Sequence, residues 1–391
     1  MNGHARHDRT GKRSGDIRTG VILGVLAVKF LLATAFVLYL FQYLSVDRLS
    51  PMPDQVLYLN DIAMIEHDLS TLFGADDLYA ANRTLFSRVA GFVSWVIPSR
   101  QEPIIAALYA NALFHALIAL SAARLYQYMG GTRATMVFVI IAFSPTLSVY
   151  SAFALRDVMI TLFMTTFVTA VLTTRFPWVL GSALTSLVAM LFLRPFFLAV
   201  MAFFWLAVFL GGRVRQATYP RVSATASLLI LVVLAVLADR YLAPDAVEAY
   251  YRERFDIVRL LLASTGLESI FSSAEGVMVD RSTIRAVRLL MVDSVIIPPL
   301  LVVVCAAALL QRHYRYAFLS GLVFACAIFV SFTYLSVTDR FAFRKLMPLL
   351  PVMWVAVILE LERRWPSRSR RRGRRRKTRS GSSSNISPKS A

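Results

Sequence analysis

Two sets of residues could do chemistry: carboxylates gathered in one stretch and arginines gathered in several others. The acidic stretch opens Pro51-Met52-Pro53-Asp54 and runs on through Tyr58, Asp61 and Asp68. Pro53 suits the first turn of a helix, and Asp54 suits the positive end of its dipole. In a helix over 54–69, Asp54, Tyr58, Asp61 and Asp68 fall near one face at offsets of 4, 7 and 14. Ile62, Ile65 and Leu69 fall on another. That pattern predicts a helix lying in a membrane interface, apolar side to lipid and acids to a cavity or water. A carboxylate held there is either a general base, with Asp54 first in line and Asp61 second, or a solvated surface acid.

The arginines come next. Leu155-Arg156-Asp157 sets an Arg beside an Asp at the edge of an apolar run, where charges must be paired or meet a polar cavity. Asp157 either orients a reacting group or closes a salt bridge with Arg156, and Arg156 either holds an anion or serves that bridge. Arg194, in Leu193-Arg194-Pro195, either snorkels to the surface or meets a phosphate. Arg281, Arg285 and Arg288 are spaced by 4 and 3, one stripe on a helix. Arg340, Arg344 and Lys345 crowd a second edge. Arginine forks match phosphate oxygens, whether on a substrate or on lipid headgroups. His115 and Lys29 are single polar residues within apolar runs and read as packing or snorkelling residues. Nothing here calls for a metal or a cofactor. The sequence has no P-loop, no G-x-G-x-x-G, no H-E-x-x-H and no Cys/His cluster.

Long apolar elements must position these residues. Of 391 residues, 57% are hydrophobic and 17% charged, which excludes a soluble enzyme. The runs are unbroken rather than alternating, which excludes a β-barrel. The expected class is an all-α polytopic membrane protein with about ten transmembrane helices: 20–44, 103–123, 134–154, 158–174, 178–194, 196–212, 222–238, 293–311, 316–336 and 344–361. Interfacial helices are expected in two long outer loops, 45–102 and 239–292. The first run follows a basic leader, but it is too long for a signal peptide and lacks a small-residue cleavage site. Pro145 could kink the third span.

The net charge of +19 is concentrated at the ends, since 15 of it falls in residues 1–18 and 363–391. Nucleic-acid binding is therefore not implied. Basic tails beside spans predict cytoplasmic ends, held near anionic membrane lipids. The four inner loops carry Arg and no acid, whereas 45–102 holds eight acids against four arginines. The expected division is a basic cytoplasmic tail over 1–19, a transmembrane catalytic region over 20–361 and a disordered basic tail over 362–391. The location expected is a bacterial cytoplasmic (inner) membrane.

An anionic, lipid-anchored substrate presented at the outer face would meet both the acids and the arginines. Over roughly 20–360 the chain resembles the GT-C-type bacterial membrane glycosyltransferases, the group of the protein mannosyltransferases. The resemblance rests on Pro53-Asp54-Gln55-Val56-Leu57-Tyr58, on Tyr109-Ala110-Asn111-Ala112-Leu113 and on Arg124-Leu125-Tyr126. Ser144-Pro145, Leu155-Arg156-Asp157, Leu193-Arg194-Pro195 and the stretch from Arg340-Phe341 to Met347-Pro348 extend it. It implies a polyprenyl-phosphate-linked sugar as donor, Asp54 as the catalytic carboxylate and Asp157 as a further acid. Other readings are an O-antigen or exopolysaccharide polymerase, a transporter or flippase, and a non-catalytic assembly factor.

Overall fold

A computed structural model describes residues 17–43, 53–72, 85–96, 103–152, 155–173, 178–194, 196–214, 291–311, 314–334 and 346–364. Among them every regular element is a helix. The first six are α1 (Thr19–Tyr43), α2 (Pro53–His67), α3 (Leu85–Val96), α4 (Pro103–Tyr128), α5 (Ala134–Ala142) and α6 (Pro145–Ser151). The rest are α7 (Asp157–Thr173), α8 (Trp178–Leu193), α9 (Phe196–Val214), α10 (Val292–Leu310), α11 (Tyr314–Tyr334) and α12 (Leu350–Arg364). Short 3₁₀ turns stand at Leu69–Leu72 and Met347–Leu349. The span expected over 222–238 and the outer loop 239–290 lie outside the described residues.

Among the described residues α4 and α10 are long and apolar enough to cross a membrane. At 1.5 Å per residue, the 26 residues of α4 reach about 39 Å, enough for a hydrocarbon core about 30 Å thick. Helices α5 and α6 make a third crossing if taken as one broken span, bent by 47°. Several shorter apolar helices accompany them. This all-helical architecture is compatible with a membrane protein.

The hub is α4, which packs against α1, α2, α3, α5, α6, α7 and α12. Its sequence explains why. Ala112, Ala116, Ala119 and Ala123 are spaced by four, three and four residues, and all are buried. Small side chains let helix backbones approach closely where lipid offers no hydrophobic drive. Pro103 opens the helix, where a missing N–H is harmless. Gly130, at φ 94°, turns the chain after its end. The Gly130 and Gly131 amides donate back to the Gln127 and Tyr126 carbonyls, both at 3.0 Å.

The break between α5 and α6 comes from Ser144-Pro145. Pro145 has no N–H to donate to the Ile141 carbonyl, so the helix cannot run through. Ser144 caps the new helix, its hydroxyl accepting from the Leu147 amide at 3.4 Å. Pro298 and Pro299 stand inside α10 two turns from its start.

Helices α2 and α3 form a hairpin, and here the structure corrects the sequence reading. Ile62 and Ile65 are fully buried rather than turned to lipid. Ile65 faces Gly91 of α3 so closely that a Cβ on Gly91 would lie 2.7 Å from the Ile65 Cβ. Leu69 belongs to the 3₁₀ turn and not to α2. Helix α2 ends at His67, and Asp68 accepts from the Ser70 amide at 2.9 Å to shape that turn.

Glycine-to-alanine substitution should therefore have opposite signs at two helical sites. Gly91→Ala overpacks the hairpin and should cost about 1–3 kcal/mol. Gly24→Ala in α1 meets nothing within 4 Å and should be neutral or stabilising by up to about 1 kcal/mol. Thermal unfolding of both variants in detergent measures the difference.

Candidate functional site

Three chain segments meet at one end of the bundle: α2, the turn into α7 and the end of α8. Tyr58 on α2 is buried and packs edge-on against Phe86 of α3, ring centroids 5.7 Å apart. The Arg156 guanidinium lies 5.9 Å from the centre of the same Tyr58 ring, a cation–π contact. Asp157 opens α7, where the helix dipole favours its charge. Helices α7 and α8 run antiparallel, so the end of α8 returns to the start of α7. Arg194 there reaches Asp157 at 3.7 Å. Among the described contacts Asp157 pairs with Arg194, and Arg156 meets the Tyr58 ring. Both Arg156 and Asp157 are buried.

Asp61 lies three residues beyond Tyr58 and is also buried, but it faces α3, accepting from the Ser87 hydroxyl at 3.1 Å. Its position in the hairpin makes it a packing acid as well as a candidate base. The backbone of Asp54 belongs to the first turn of α2, one turn from Tyr58; its side chain lies outside the described set. Arg281, Arg285, Arg288, Arg340, Arg344 and Lys345 also lie outside the described residues. Of the residues singled out from sequence, the structure brings Tyr58, Arg156, Asp157 and Arg194 together, with Asp61 on the next turn of α2.

A polar row on α4 supports this end from within. Asn111 and His115, four residues apart, share one face and are fully buried. The Asn111 amide donates to the Leu155 carbonyl at 3.3 Å, steadying the turn that carries Arg156 and Asp157. His115 Nε2 lies 2.9 Å from the Ile141 carbonyl, which also accepts from the Ser144 amide at 3.1 Å. A carbonyl only accepts, so Nε2 carries the proton and a neutral ring leaves Nδ1 bare. Lys29 Nζ donates to that Nδ1 at 2.7 Å. Lys29 does not snorkel: it is 7% exposed and also faces the Phe143 ring at 5.8 Å. Nearby, Thr34 and Tyr109 share a hydrogen bond of 2.6 Å.

Asp293 was not anticipated. It opens α10, is 3% exposed, and its carboxylate accepts from the Ser144 and Thr146 hydroxyls and from the Thr146 amide at 3.0 Å. It thereby pins the start of α6 to the start of α10. A lone acid opening an apolar run is the signal in the sequence, as it was for Asp157.

At the other end of α4, roughly 22 Å from Asn111 at 1.5 Å per residue, Glu362 of α12 accepts from the Tyr126 and Thr132 hydroxyls. Burial would raise the Glu362 carboxyl. Hydrogen bonds from Thr132 and Tyr126 outweigh that and hold it below the usual glutamate value. Glu360 takes Arg363 and Arg364 at 2.8 and 2.9 Å.

Among the described residues no group of three or more His, Cys, Asp or Glu could hold a metal ion. No protein-family model matches the chain, and neither does any curated protein or solved structure. The role of the cluster rests on its own residues.

Two outcomes are expected. Asp293→Ala strands three donors in an apolar bundle, and each unsatisfied group costs about 1–3 kcal/mol. A large loss of thermal stability in detergent should follow, with a smaller loss in Asp293→Asn, which keeps an acceptor. For Glu362 the folded carboxyl is depressed, so its contribution is complete above the ordinary glutamate value. It is lost as the pH falls through the lower folded value. Unfolding temperature should drop across that window, and Glu362→Gln should flatten the drop.

Proposed function

We propose that this chain is a membrane glycosyltransferase that moves a sugar from a polyprenyl-phosphate donor to an acceptor outside the cytoplasm. The observation that supports it is the grouping of buried Arg156 and Asp157 with the half-buried Arg194 beside Tyr58. Charges at the end of an apolar bundle are costly without a use, and this grouping pairs anion-binding forks with an acid. The resemblance to GT-C-type enzymes leads to the same place, because it maps a catalytic carboxylate onto Asp54, one turn from Tyr58. In this reading the chain has ten spans with both ends cytoplasmic, in a bacterial inner membrane. Loops 45–102 and 239–292 then face outward, and Glu362 marks the cytoplasmic end.

The reaction is a displacement at the anomeric carbon. Asp54 takes the proton from an acceptor hydroxyl as that oxygen bonds to the carbon. The carbon–oxygen bond to phosphate breaks, and the polyprenyl phosphate leaves with the electron pair. Arg156 and Arg194, with Arg340, Arg344 and Lys345 or the Arg281–Arg285–Arg288 stripe, stabilise the charge developing on the phosphate. Asp157 holds Arg194 in place. The phosphate is the leaving group, so no nucleotide is needed.

Transport is the second reading, and two observations favour it. The α5–α6 pair is a broken helix, and Lys29 with His115 puts ionisable groups deep within the bundle. The two readings part on mutation. In a transferase, Asp54→Asn should insert normally yet lower sugar transfer by about 10²–10⁴-fold. Asp61→Asn should cost less, and Lys29→Met should act mainly through stability. Loss of a transported lipid's translocation in Lys29→Met, with Asp54→Asn silent, would reverse the assignment. Lipid extracts of a deletion strain give the first measurement: accumulated polyprenyl-phosphate sugar is expected, and its absence counts against the transferase.

A further inference from the structure

One helix of the hairpin leaves an apolar stripe uncovered. Phe86, Ser87, Ala90, Gly91 and Ser94 form the buried face of α3. On the other side Phe92, Trp95 and Val96 are 46%, 47% and 53% exposed. Phe92 and Trp95 stack at 6.2 Å. Arg88 heads this stripe at offsets of 4, 7 and 8 from those three residues. Its Nε is buried and has no hydrogen-bond partner among the described residues.

Two features fix the level and the neighbourhood of this stripe. The hairpin rests on the first turns of α4, where Leu59 packs with Ile104 and Leu108. The first turns of a helix long enough to span a membrane stand at the membrane boundary. Helix α3 also touches α8. That helix leaves its own apolar stripe uncovered at Leu184, Val188, Leu191 and Phe192. So α3 is an amphipathic helix at boundary level, beside a bundle helix that turns apolar side chains outward. It carries a Trp–Phe pair on its open face and a half-buried arginine at the head of that stripe. Trp prefers the headgroup region, and arginine forks bind phosphate.

We infer that α3 is an interfacial lipid-binding helix: Phe92, Trp95 and Val96 enter the acyl border and Arg88 takes a phospholipid phosphate. The surface is separate from the Arg156–Asp157–Arg194 cluster and does not depend on the glycosyl-transfer reading. It also revises which part of the first long loop meets lipid. The lipid face belongs to α3, while Ile62 and Ile65 of α2 are buried in the hairpin.

Spin labels test it in the full chain. Cys305 and Cys326 are replaced first by Ala, and single labels are then placed through Phe92→Cys, Val96→Cys and Asn60→Cys. The protein is reconstituted in vesicles of phosphatidylcholine and phosphatidylglycerol. Oxygen should collide more often than a water-soluble nickel complex at 92 and 96, and the order should reverse at 60, an exposed position on α2. Adding Arg88→Gln should lower the oxygen-to-nickel ratio at 92. Nickel dominance at 92 and 96 would place the face in water and overturn the inference. Immobilised labels shielded from both reagents would mean that protein, such as a second copy, covers it, and would overturn it equally. An unchanged ratio in Arg88→Gln removes the phosphate contact. With the native cysteines kept, brominated phospholipids should quench a fluorescence component that disappears in Trp95→Phe; persistence of that component contradicts the lipid contact.

Discussion

Inside an apolar bundle a broken helix leaves backbone groups that must find new partners, and much of this structure follows from how one such break is met. Pro145 breaks the third apolar run and leaves the Ile141 carbonyl without its helical amide. The Ser144 amide takes its place at 3.1 Å, and His115 reaches across from α4 to the same oxygen. The ring can do so because Lys29 satisfies its other nitrogen. Beyond the break, Ser144 and Thr146 turn to Asp293, which ties α6 to α10. Helix α6 then delivers the chain to Arg156 and Asp157. The break at Pro145 thus gathers five buried polar residues: Lys29, His115, Ser144, Thr146 and Asp293.

Much of this was legible in sequence, because hydropathy marks helices whose environment is uniform. Apolar runs at 103–123 and 293–311 correspond to α4 and α10, and Pro145 marked the bend. The charge grouping was partly legible. Arg156, Asp157 and Arg194 were singled out by the cost of a charge at an apolar edge. Which arginine pairs with Asp157 depends on the antiparallel return of α8, and residue spacing within one segment cannot encode that. The same limit applies to α2. A period of 3.6 orders its residues around the axis, yet Asp61 and Ile65, expected on different faces, both meet α3. The period does not say that another helix covers the apolar one. Helix α3 went unread because twelve residues in a polar loop give a weak signal. Asp293 was missed because its partners lie about 150 residues away.

The two ends of α4 are held differently, and the chemistry of each fits its place. At the end bearing Arg156 and Asp157, contacts join ionic groups buried among aromatics, where geometry must be kept tightly. At the other end Glu362 gathers hydroxyls from Tyr126 and Thr132, while Glu360 neutralises the first two arginines of a basic segment. The last helix therefore closes with its charges satisfied before the arginine-rich stretch begins. Gly131 is needed at this corner because the Tyr126 ring occupies the space a Cβ would take, 2.3 Å away.

The adjacent Pro298 and Pro299 give α10 an uneven stiffness along its length. Neither can donate, so the Ser294 and Val295 carbonyls lose their helical partners and the turn before the prolines is joined to the rest by fewer hydrogen bonds. Asp293 sits on that turn. A pull on Ser144 or Thr146 is thus absorbed within one turn of α10 rather than tilting the whole helix. Helix α10 also packs on α11 and α12. The double proline therefore sets a weakened joint between the segment that carries Arg156 and Asp157 and the rest of the bundle.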